Sequence, residues 1–119
     1  MSDNPKHPLI RDHRVFVSCG VWDCLSARIA ERAGFKTVVV SGYAVSASYL
    51  GEPDFGLLTM TDVLDVARRI IRVTSASVIV DGDTGFGGAL NVQHFVRELV
   101  QMGARGVILE DQTWPKRCG

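Results

Sequence analysis

The chain has 119 residues, room for one domain at most, and it balances 13 basic against 13 acidic side chains. A formal net charge of zero gives no electrostatic reason to expect nucleic acid or an anionic membrane as a partner. No apolar run approaches the ~20 residues of a membrane span, and the 3 cysteines lack paired spacing. That cysteine usage indicates a reducing compartment, which we expect to be the cytoplasm.

The N-terminal residues are polar and lack the apolar stretch of a secretory signal. We therefore expect a flexible lead over residues 1–12 and one folded unit over residues 13–119.

Four short apolar runs, rich in β-branched residues, predict strands. Their hydrophobicity is nearly continuous, which is typical of parallel strands buried on both faces. In chain order the runs are residues 15–17, 37–40, 77–80 and 106–109.

Amphipathic stretches between the runs predict three helices. The candidate N-caps are Asp23 for the first helix, Thr59 or Thr61 for the second and Asn91 for the third. Gly34 and Gly103 are expected to end the first and third helices. Residues 44–50 predict an additional short helix. The order of elements, β-α-β-α-β-α-β, is typical of an α/β fold with a parallel sheet.

The inner helix faces are expected to follow the 3.6-residue helical period. For the first helix the predicted inner face is Leu25, Ile29, Ala30 and Ala33. For the second it is Val63, Leu64, Ala67, Ile70 and Ile71, and for the third Val92, Phe95, Val96, Leu99 and Val100. We also expect three aromatic side chains in the core: Trp22, Phe35 and Phe95.

Polar residues follow each predicted strand and indicate a ligand site. The carboxyl ends of parallel strands lie on one face, and ligands bind there. The residues at these ends are Ser18, Cys19 and Gly20; Ser41, Gly42 and Tyr43; Asp81 and Asp83; and Glu110 and Asp111. Acids, hydroxyls and glycines from four strands are thus expected to converge on one rim.

Asp81 and Asp83 are the strongest signal at this rim. Residues two apart on a strand face the same side, so both carboxylates are expected to point one way. Like charges this close repel unless a cation or a proton joins them, and residues 78–88 contain nothing basic. Together with Glu110 they offer hard oxygen ligands that suit Mg²⁺ or Mn²⁺.

Some of these features have a purely structural interpretation, which the residues alone leave open. Asp54 follows a proline in a turn-rich segment, and turn chemistry alone can explain it. Lys116 and Arg117 are also consistent with a solvated tail, and Cys118 with a thiol of no special role.

The ordered motifs resemble those of the isocitrate lyase and phosphoenolpyruvate mutase superfamily. The segment 81–87, Asp-Gly-Asp-Thr-Gly-Phe-Gly, is close to the D-x-D-T-G-[FY]-G signature of that family. Further matches are residues 20–28 at the first βα junction, 40–43 at the second strand end, and 110–112 with 115–119, E-D-Q and P-K-R-C-G. The Lys-Arg-Cys-Gly form indicates the lyase branch, similar to methylisocitrate and dimethylmalate lyases.

The resemblance implies a (β/α)8 barrel of the TIM type, and such barrels take about 250 residues. This chain supplies about four of the strands, so we expect the N-terminal half of a barrel. A piece of this kind is expected to be inactive alone; a half-barrel that dimerises and a regulatory fragment that binds a metal are the alternatives.

The resemblance also implies roles for single residues. Asp81 would bind Mg²⁺ directly, while Asp54, Asp83 and Glu110 would hold its waters or the substrate. Ser41, Gly42 and Tyr43 would contact a substrate carboxylate. Lys116 and Cys118 would be catalytic residues on a mobile loop, with Cys118 as the proton donor to a departing carbanion.

The implied reaction is a Mg²⁺-dependent retro-aldol cleavage of a small 2-hydroxy di- or tricarboxylate to pyruvate or glyoxylate and a second acid. Carboxyphosphonoenolpyruvate or phosphoenolpyruvate mutase-type chemistry, oxaloacetate decarboxylation and a non-catalytic metal-binding role are the alternatives. The resemblance further implies a homo-oligomer, with no nucleic-acid or membrane partner.

Overall fold

The computed structural model describes residues 15–117, which contain a single parallel sheet. β1 spans Cys19–Val21, β2 spans Thr37–Val40, β3 spans Ser77–Asp81 and β4 spans Gly106–Ile108. The strands lie side by side in chain order, and each neighbouring pair is parallel. The predicted α/β class with four parallel strands is confirmed.

Helices connect the strands. α1 spans Cys24–Arg32, α2 spans Gly42–Val45, α3 spans Met60–Val73 and α4 spans Ala89–Met102. A π-helical turn, Ser46–Leu50, continues α2, so the short helix predicted over residues 44–50 is present and begins two residues earlier. Within residues 15–117, no helix combines the length and apolar character needed to cross a membrane.

Side-chain caps fix where α1 and α3 begin. Asp23 Oδ1 accepts the Ser26 N–H at 2.7 Å, and Ser26 Oγ accepts the Asp23 N–H at 3.1 Å. Thr59 Oγ1 accepts the Asp62 N–H at 3.3 Å, and Asp62 Oδ2 accepts the Thr59 N–H at 2.9 Å. The predicted cap of α1 is confirmed, and of the two candidates for α3, Thr59 rather than Thr61 is the cap.

The prediction that Asn91 caps α4 is wrong. The helix begins at Ala89, and Gly88 occupies the cap position. Asn91 lies in the first turn instead, where its Oδ1 accepts the Gly88 N–H at 3.1 Å. The predicted end of the helix is confirmed, because Gly103 follows it in the left-handed conformation, with φ 93°.

The first strand begins four residues later than predicted. The β-branched run over residues 15–17 is exposed and lies outside the sheet, whereas Cys19–Val21 pairs with β2. The polar residues expected after this strand therefore precede it or belong to it: Ser18, Cys19 and Gly20. The prediction was wrong because it used local hydrophobicity alone, whereas a segment becomes part of a sheet by pairing with a strand that is distant in the sequence.

The core lies between the sheet and the helices. α3 buries four of its five predicted inner residues, Val63, Leu64, Ala67 and Ile70, whereas α4 buries two of five, Phe95 and Leu99. Val100, also predicted to face inward, is 68% exposed. The sheet adds one buried row of small β-branched side chains from its strands: Val21, Val38, Val40, Val78 and Val80.

The inner face of α1 differs from the prediction. Ala30 is buried as predicted, and Ala27, which was not predicted, is buried too, whereas Leu25 and Ile29 are 68% and 59% exposed and Ala33 is also exposed. Trp22, predicted to lie in the core, is 40% exposed. The helix therefore packs through small residues, and its larger side chains face away from the sheet.

Candidate active site

Asp81 is the last residue of β3 and lies at the carboxyl edge of the sheet. Its Oδ2 accepts the Gly42 N–H and its Oδ1 accepts the Asp83 N–H, both at 3.0 Å. A Cβ on Gly42 would lie 3.0 Å from Asp81 Oδ2, so the carboxylate approaches closely because glycine has no side chain. Asp81 is thus held between the ends of β2 and β3, and each of its oxygens retains a second acceptor site.

The Lys116 ammonium lies among three other carboxylates. Its Nζ is 2.9 Å from Asp54 Oδ2, 3.2 Å from Asp83 Oδ1 and 3.7 Å from Glu110 Oε1. The Lys116 side chain is 2% exposed, and those of Asp54 and Asp83 are 10% and 14% exposed. The alternative in which Lys116 belongs to a solvated tail is therefore wrong. We call these four residues the acidic cluster.

Burial and neighbouring charges shift two pKa values in the acidic cluster. Burial by itself lowers the pKa of Lys116, but hydrogen bonds and charge attraction from Asp54 and Asp83 outweigh it and raise that pKa to about 12. Burial raises the pKa of Asp83, and the Lys116 ammonium opposes that effect only in part. Lys116 is therefore a permanent cation at neutral pH.

Backbone hydrogen bonds bring Glu110 to the same side of the rim as Asp83. The Gly82 N–H donates to the Ile108 carbonyl at 2.8 Å, and the Glu110 N–H donates to the Asp83 carbonyl at 2.8 Å. These bonds continue the pairing of β3 and β4 beyond the last paired residues of the strands. The convergence of acids predicted from the strand ends is thus observed for Asp81, Asp83 and Glu110.

Gln112 is a site residue that the sequence interpretation missed. Its side-chain amide donates to a Glu110 carboxylate oxygen, and its Oε1 accepts the Arg117 N–H at 2.8 Å. These contacts turn the chain back toward the rim next to Lys116. The position of Gln112 in the E-D-Q motif was the available signal, but the motif does not reveal which groups the amide bonds.

The residues expected to contact a substrate carboxylate follow β2 as predicted. Ser41 Oγ accepts the Ala44 N–H at 3.4 Å, and the Gly42 N–H donates to Asp81. Tyr43 is 60% exposed. The Ser41 hydroxyl proton and the Tyr43 side chain can therefore contact a ligand. The Gly42 N–H, in contrast, orients the Asp81 carboxylate.

A cavity of about 740 Å³ borders the acidic cluster at Asp83. This volume lies in the range of small-molecule sites. Its apolar lining is Leu58, Met60, Phe86 and Trp114, and its polar lining includes Thr59, Thr84 and Asn91. Trp114 packs on Gly56, where a Cβ would meet the indole ring at 2.4 Å.

The residues at the rim are compatible with a Mg²⁺ ion that has few direct protein ligands. Within residues 15–117, no three His, Cys, Asp or Glu side chains are arranged to hold an ion together, and Lys116 already offsets part of the acidic charge. Mg²⁺ usually binds one or two carboxylates and keeps several waters. Asp81 is the acid at the rim whose hydrogen bonds leave acceptor sites for an ion, while Asp83 and Glu110 lie against the Lys116 ammonium. Their predicted roles toward a metal ion therefore stay predictions.

Cys118, predicted as the catalytic proton donor, lies outside the described residues, as does the predicted lead over residues 1–12. Both therefore stay predictions. The two described cysteines, Cys19 and Cys24, carry free thiols.

Comparisons with known proteins agree on one family. A family model described as phosphoenolpyruvate phosphomutase matches residues 6–118. The petal death protein of Dianthus caryophyllus is 56% identical over 114 residues, which cover 95% of this chain and 36% of that protein.

Two solved structures superpose closely on the chain. One is 2,3-dimethylmalate lyase, described as a PEP mutase/isocitrate lyase superfamily member, with a TM-score of 0.87 and 36% identity over 92% of this chain and 37% of that one. The other is phosphonopyruvate hydrolase in complex with oxalate and Mg²⁺, with a TM-score of 0.82 and 39% identity over 87% of this chain and 36% of that one. The chain thus spans little more than a third of the length of these relatives.

Proposed function

Because the chain belongs to the phosphoenolpyruvate phosphomutase family, we propose that it forms part of a Mg²⁺-dependent carbon–carbon lyase. The proposed reaction is a retro-aldol cleavage of a 2-hydroxy di- or tricarboxylate, such as methylisocitrate or dimethylmalate, to pyruvate or glyoxylate and a second acid. The observation that carries the proposal is the convergence of Asp81, Asp83, Glu110 and Lys116 at the rim of the sheet. The likeness to 2,3-dimethylmalate lyase supports the substrate class.

The charge of the rim supports a cation-assisted site for an anion. Asp81 and the acidic cluster together hold four carboxylates and one ammonium, a net of three negative charges when all are ionised. A substrate with two or three carboxylates is repelled by that charge unless a further cation is present. When bound, Mg²⁺ or Mn²⁺ supplies Lewis-acid stabilisation of a developing oxyanion, an effect of several kcal/mol.

The residues of the chain have separate roles in this proposal. Asp81 holds the ion, and the N–H groups of Gly42 and Asp83 fix the orientation of its carboxylate. Lys116 keeps its proton and reduces repulsion among the acids. Cys118 protonates the departing carbanion as a general acid, which contributes roughly 10²–10⁴-fold to the rate.

Oxalate binding tests the proposed site without requiring turnover. Oxalate is planar like a 2-oxo acid, and the related phosphonopyruvate hydrolase binds it together with Mg²⁺. We expect calorimetry to detect oxalate binding to the 119-residue chain when Mg²⁺ is present and to lose it when a chelator is added.

Asp81→Ala should weaken that binding by at least about tenfold, because it removes the proposed direct ligand. Asp65→Asn is the matched control, since Asp65 is a carboxylate on α3 that pairs with Arg69, on the surface, rather than with the rim. Oxalate affinity that is indifferent to the chelator or to Asp81→Ala contradicts the proposal.

Phosphorus–carbon chemistry is the second candidate, supported by the description of the matching family and by the similarity to phosphonopyruvate hydrolase. Phosphorus NMR separates the two candidates. A new phosphorus signal from phosphonopyruvate supports the mutase or hydrolase type, whereas pyruvate or glyoxylate release from 2-hydroxy acids supports the lyase. Because this piece of a barrel is expected to be inactive alone, the turnover assays use a full-length protein that carries it. Carbon dioxide release from oxaloacetate then indicates a decarboxylase, and oxalate binding without any turnover indicates a metal-binding role.

A further inference from the structure

Ser46 is a buried hydroxyl that bonds outside its own helix. The residue is 0% exposed at the start of the π-helical turn. Its Oγ lies 2.9 Å from the Glu52 carbonyl and 3.1 Å from the Pro53 carbonyl, so one hydroxyl proton is shared between two successive carbonyls. The Glu52 N–H also donates to the Ser46 carbonyl, at 3.4 Å.

These bonds fix a tight turn. Gly51 ends the π-helical turn in the left-handed conformation, with φ 72°, and reverses the direction of the chain. The Phe55 N–H donates to the Pro53 carbonyl at 2.9 Å. The Ser46 hydroxyl therefore holds the turn through the carbonyls of the two residues that come directly before Asp54.

Asp54 depends on this turn for its position in the acidic cluster. Its carboxylate is 10% exposed and lies 2.9 Å from the Lys116 ammonium. Among the three carboxylates around Lys116, Asp54 comes from the connection between α2 and α3, while Asp83 and Glu110 follow paired strands. The strand pairing that holds those two acids does not hold Asp54, whose backbone position is set by the turn and whose carboxylate is held by Lys116.

Serine inside a helix ordinarily bonds a carbonyl of the preceding turn. Ser48, two residues further on, does so, with its Oγ 3.3 Å from the Val45 carbonyl. Ser46 departs from that pattern because its hydroxyl reaches forward by six and seven residues. The two serines share one helical turn, but Ser48 is exposed and its hydroxyl bonds within the helix, so Ser48→Ala controls for the loss of a serine hydroxyl from this turn.

We propose that Ser46 is a positioning residue: by clamping the carbonyls of Glu52 and Pro53, it holds Asp54 at the distance that completes the acidic cluster. The inference rests on the proposed function, in which Asp54 holds the waters of the ion or the substrate. Ser46 itself touches neither of them and acts through Asp54.

Amide hydrogen exchange of the 119-residue chain tests the clamp directly. Ser46→Ala is expected to speed exchange of the hydrogen-bonded amides of Glu52 and Phe55 by about tenfold or more, because it opens the turn locally. Ser48→Ala is expected to leave them unchanged, and Ser46→Thr, which keeps the hydroxyl, to retain the protection. Amides of β2 and β3 serve as the reference for global opening.

A double-mutant cycle on oxalate affinity in Mg²⁺ tests the action through Asp54. Ser46→Ala and Asp54→Asn are each expected to weaken oxalate binding by about 10- to 100-fold, the cost typical of a misplaced site group. The double variant should bind no more weakly than Asp54→Asn alone. Additive losses mean that Ser46 does not act through Asp54 and overturn the inference.

The exchange measurement shows whether Ser46 holds the turn, whatever the function of the site. Unchanged protection in Ser46→Ala, or equal acceleration in Ser48→Ala or in the sheet amides, overturns the inference. If the unaltered chain binds no oxalate, the proposed function is contradicted, and the local exchange of the Glu52 and Phe55 amides still decides whether Ser46 holds the turn.

Discussion

Lys116 is the residue on which the acidic cluster depends. Its buried ammonium contacts Asp54, Asp83 and Glu110, so its removal leaves three neighbouring carboxylates without their cation. We predict that Lys116→Met lowers the free energy of unfolding by about 3 kcal/mol, the usual cost of breaking a buried ion pair. Urea unfolding followed by the fluorescence of Trp22 and Trp114 measures the loss.

Lys36→Met is the control for the loss of a lysine, because Lys36 is exposed, and we expect it to change stability by less than about 0.5 kcal/mol. Mg²⁺ should stabilise Lys116→Met more than the unaltered chain, since the ion can offset charge that Lys116 no longer offsets. Equal stability losses in the two lysine variants contradict the assigned role of Lys116.

The raised pKa of Lys116 predicts how stability changes in alkali. The folded value is about 12 against an ordinary value of 10.5, so the folded state binds the proton more tightly. The corresponding stability, about 2 kcal/mol, is fully present below the ordinary value and is lost as the pH rises through the folded value. The unfolding free-energy difference between the unaltered chain and Lys116→Met should shrink over that range; a difference that stays constant contradicts the assignment.

At the residue scale, the sequence predicted the acids better than their partners. Asp81 and Asp83 both lie at the rim, but the reason given for it was wrong: β3 ends at Asp81, and Asp83 is left-handed with φ 51°, so the alternation of a strand does not continue to Asp83. The family resemblance implied that Lys116 belongs to the site, but the contacts that Lys116 and Gln112 make with the acids were not predicted. The Lys116 contact with Asp54 spans 62 residues, and no local pattern encodes a contact formed by two loops.

At the element scale, the cap of α3 gives a clean test because two threonines compete for it. Thr59 makes the capping contacts with Asp62, while Thr61 is exposed within the first turn. We predict that Thr59→Ala lowers the free energy of unfolding by about 1 kcal/mol. Thr61→Ala should cost less than about 0.5 kcal/mol. Chemical denaturation measures the stability of both variants. A larger loss in Thr61→Ala than in Thr59→Ala contradicts the assigned cap.

The sequence predicted the number, type and order of the elements. It did not predict where the first strand begins or which face of α1 is buried. β2, β3 and β4 lie close to the predicted runs because each is both hydrophobic and paired. The run at residues 15–17 is hydrophobic and unpaired. On α1, two apolar faces fit the helical period, and packing against β1 and α3 buries Ala27 rather than Leu25 and Ile29.

At the scale of the whole molecule, the sheet has two open edges. β1 and β4 each pair with a neighbour on one side only in the part of the chain that the structure describes. Open edges expose backbone donors and acceptors and favour association. Around β4, Ile108 and Leu109 are also 47% and 42% exposed. We therefore predict that the 119-residue chain self-associates through this edge.

Light scattering after size-exclusion chromatography tests this prediction. The unaltered chain should elute with a mass above the 13.0 kDa of a single copy. Ile108→Lys should shift it toward one copy, because an edge charge opposes strand pairing. Leu90→Lys, at a 79% exposed position on α4, should leave the mass unchanged. A single-copy mass for the unaltered chain contradicts the prediction.

The family resemblance inferred from the motifs is confirmed by the match over residues 6–118 and by the superposition on 2,3-dimethylmalate lyase. Those motifs surround the carboxyl ends of β2, β3 and β4, where the backbone fixes Asp81 and Glu110. Sequence, fold and family therefore point to the same rim. The similar proteins carry the names of different enzymes, among them 2,3-dimethylmalate lyase and phosphonopyruvate hydrolase.

We propose that Asp81 and the acids beside it bind one divalent ion at the rim. Electron paramagnetic resonance of free Mn²⁺, titrated with the chain in the presence of oxalate, measures that binding directly. We predict that one Mn²⁺ per chain loses its free-ion signal, that Mg²⁺ restores the signal by competition, and that Asp81→Ala abolishes the binding. A free-ion signal that the unaltered chain does not reduce, or that Asp81→Ala reduces equally, would contradict the account.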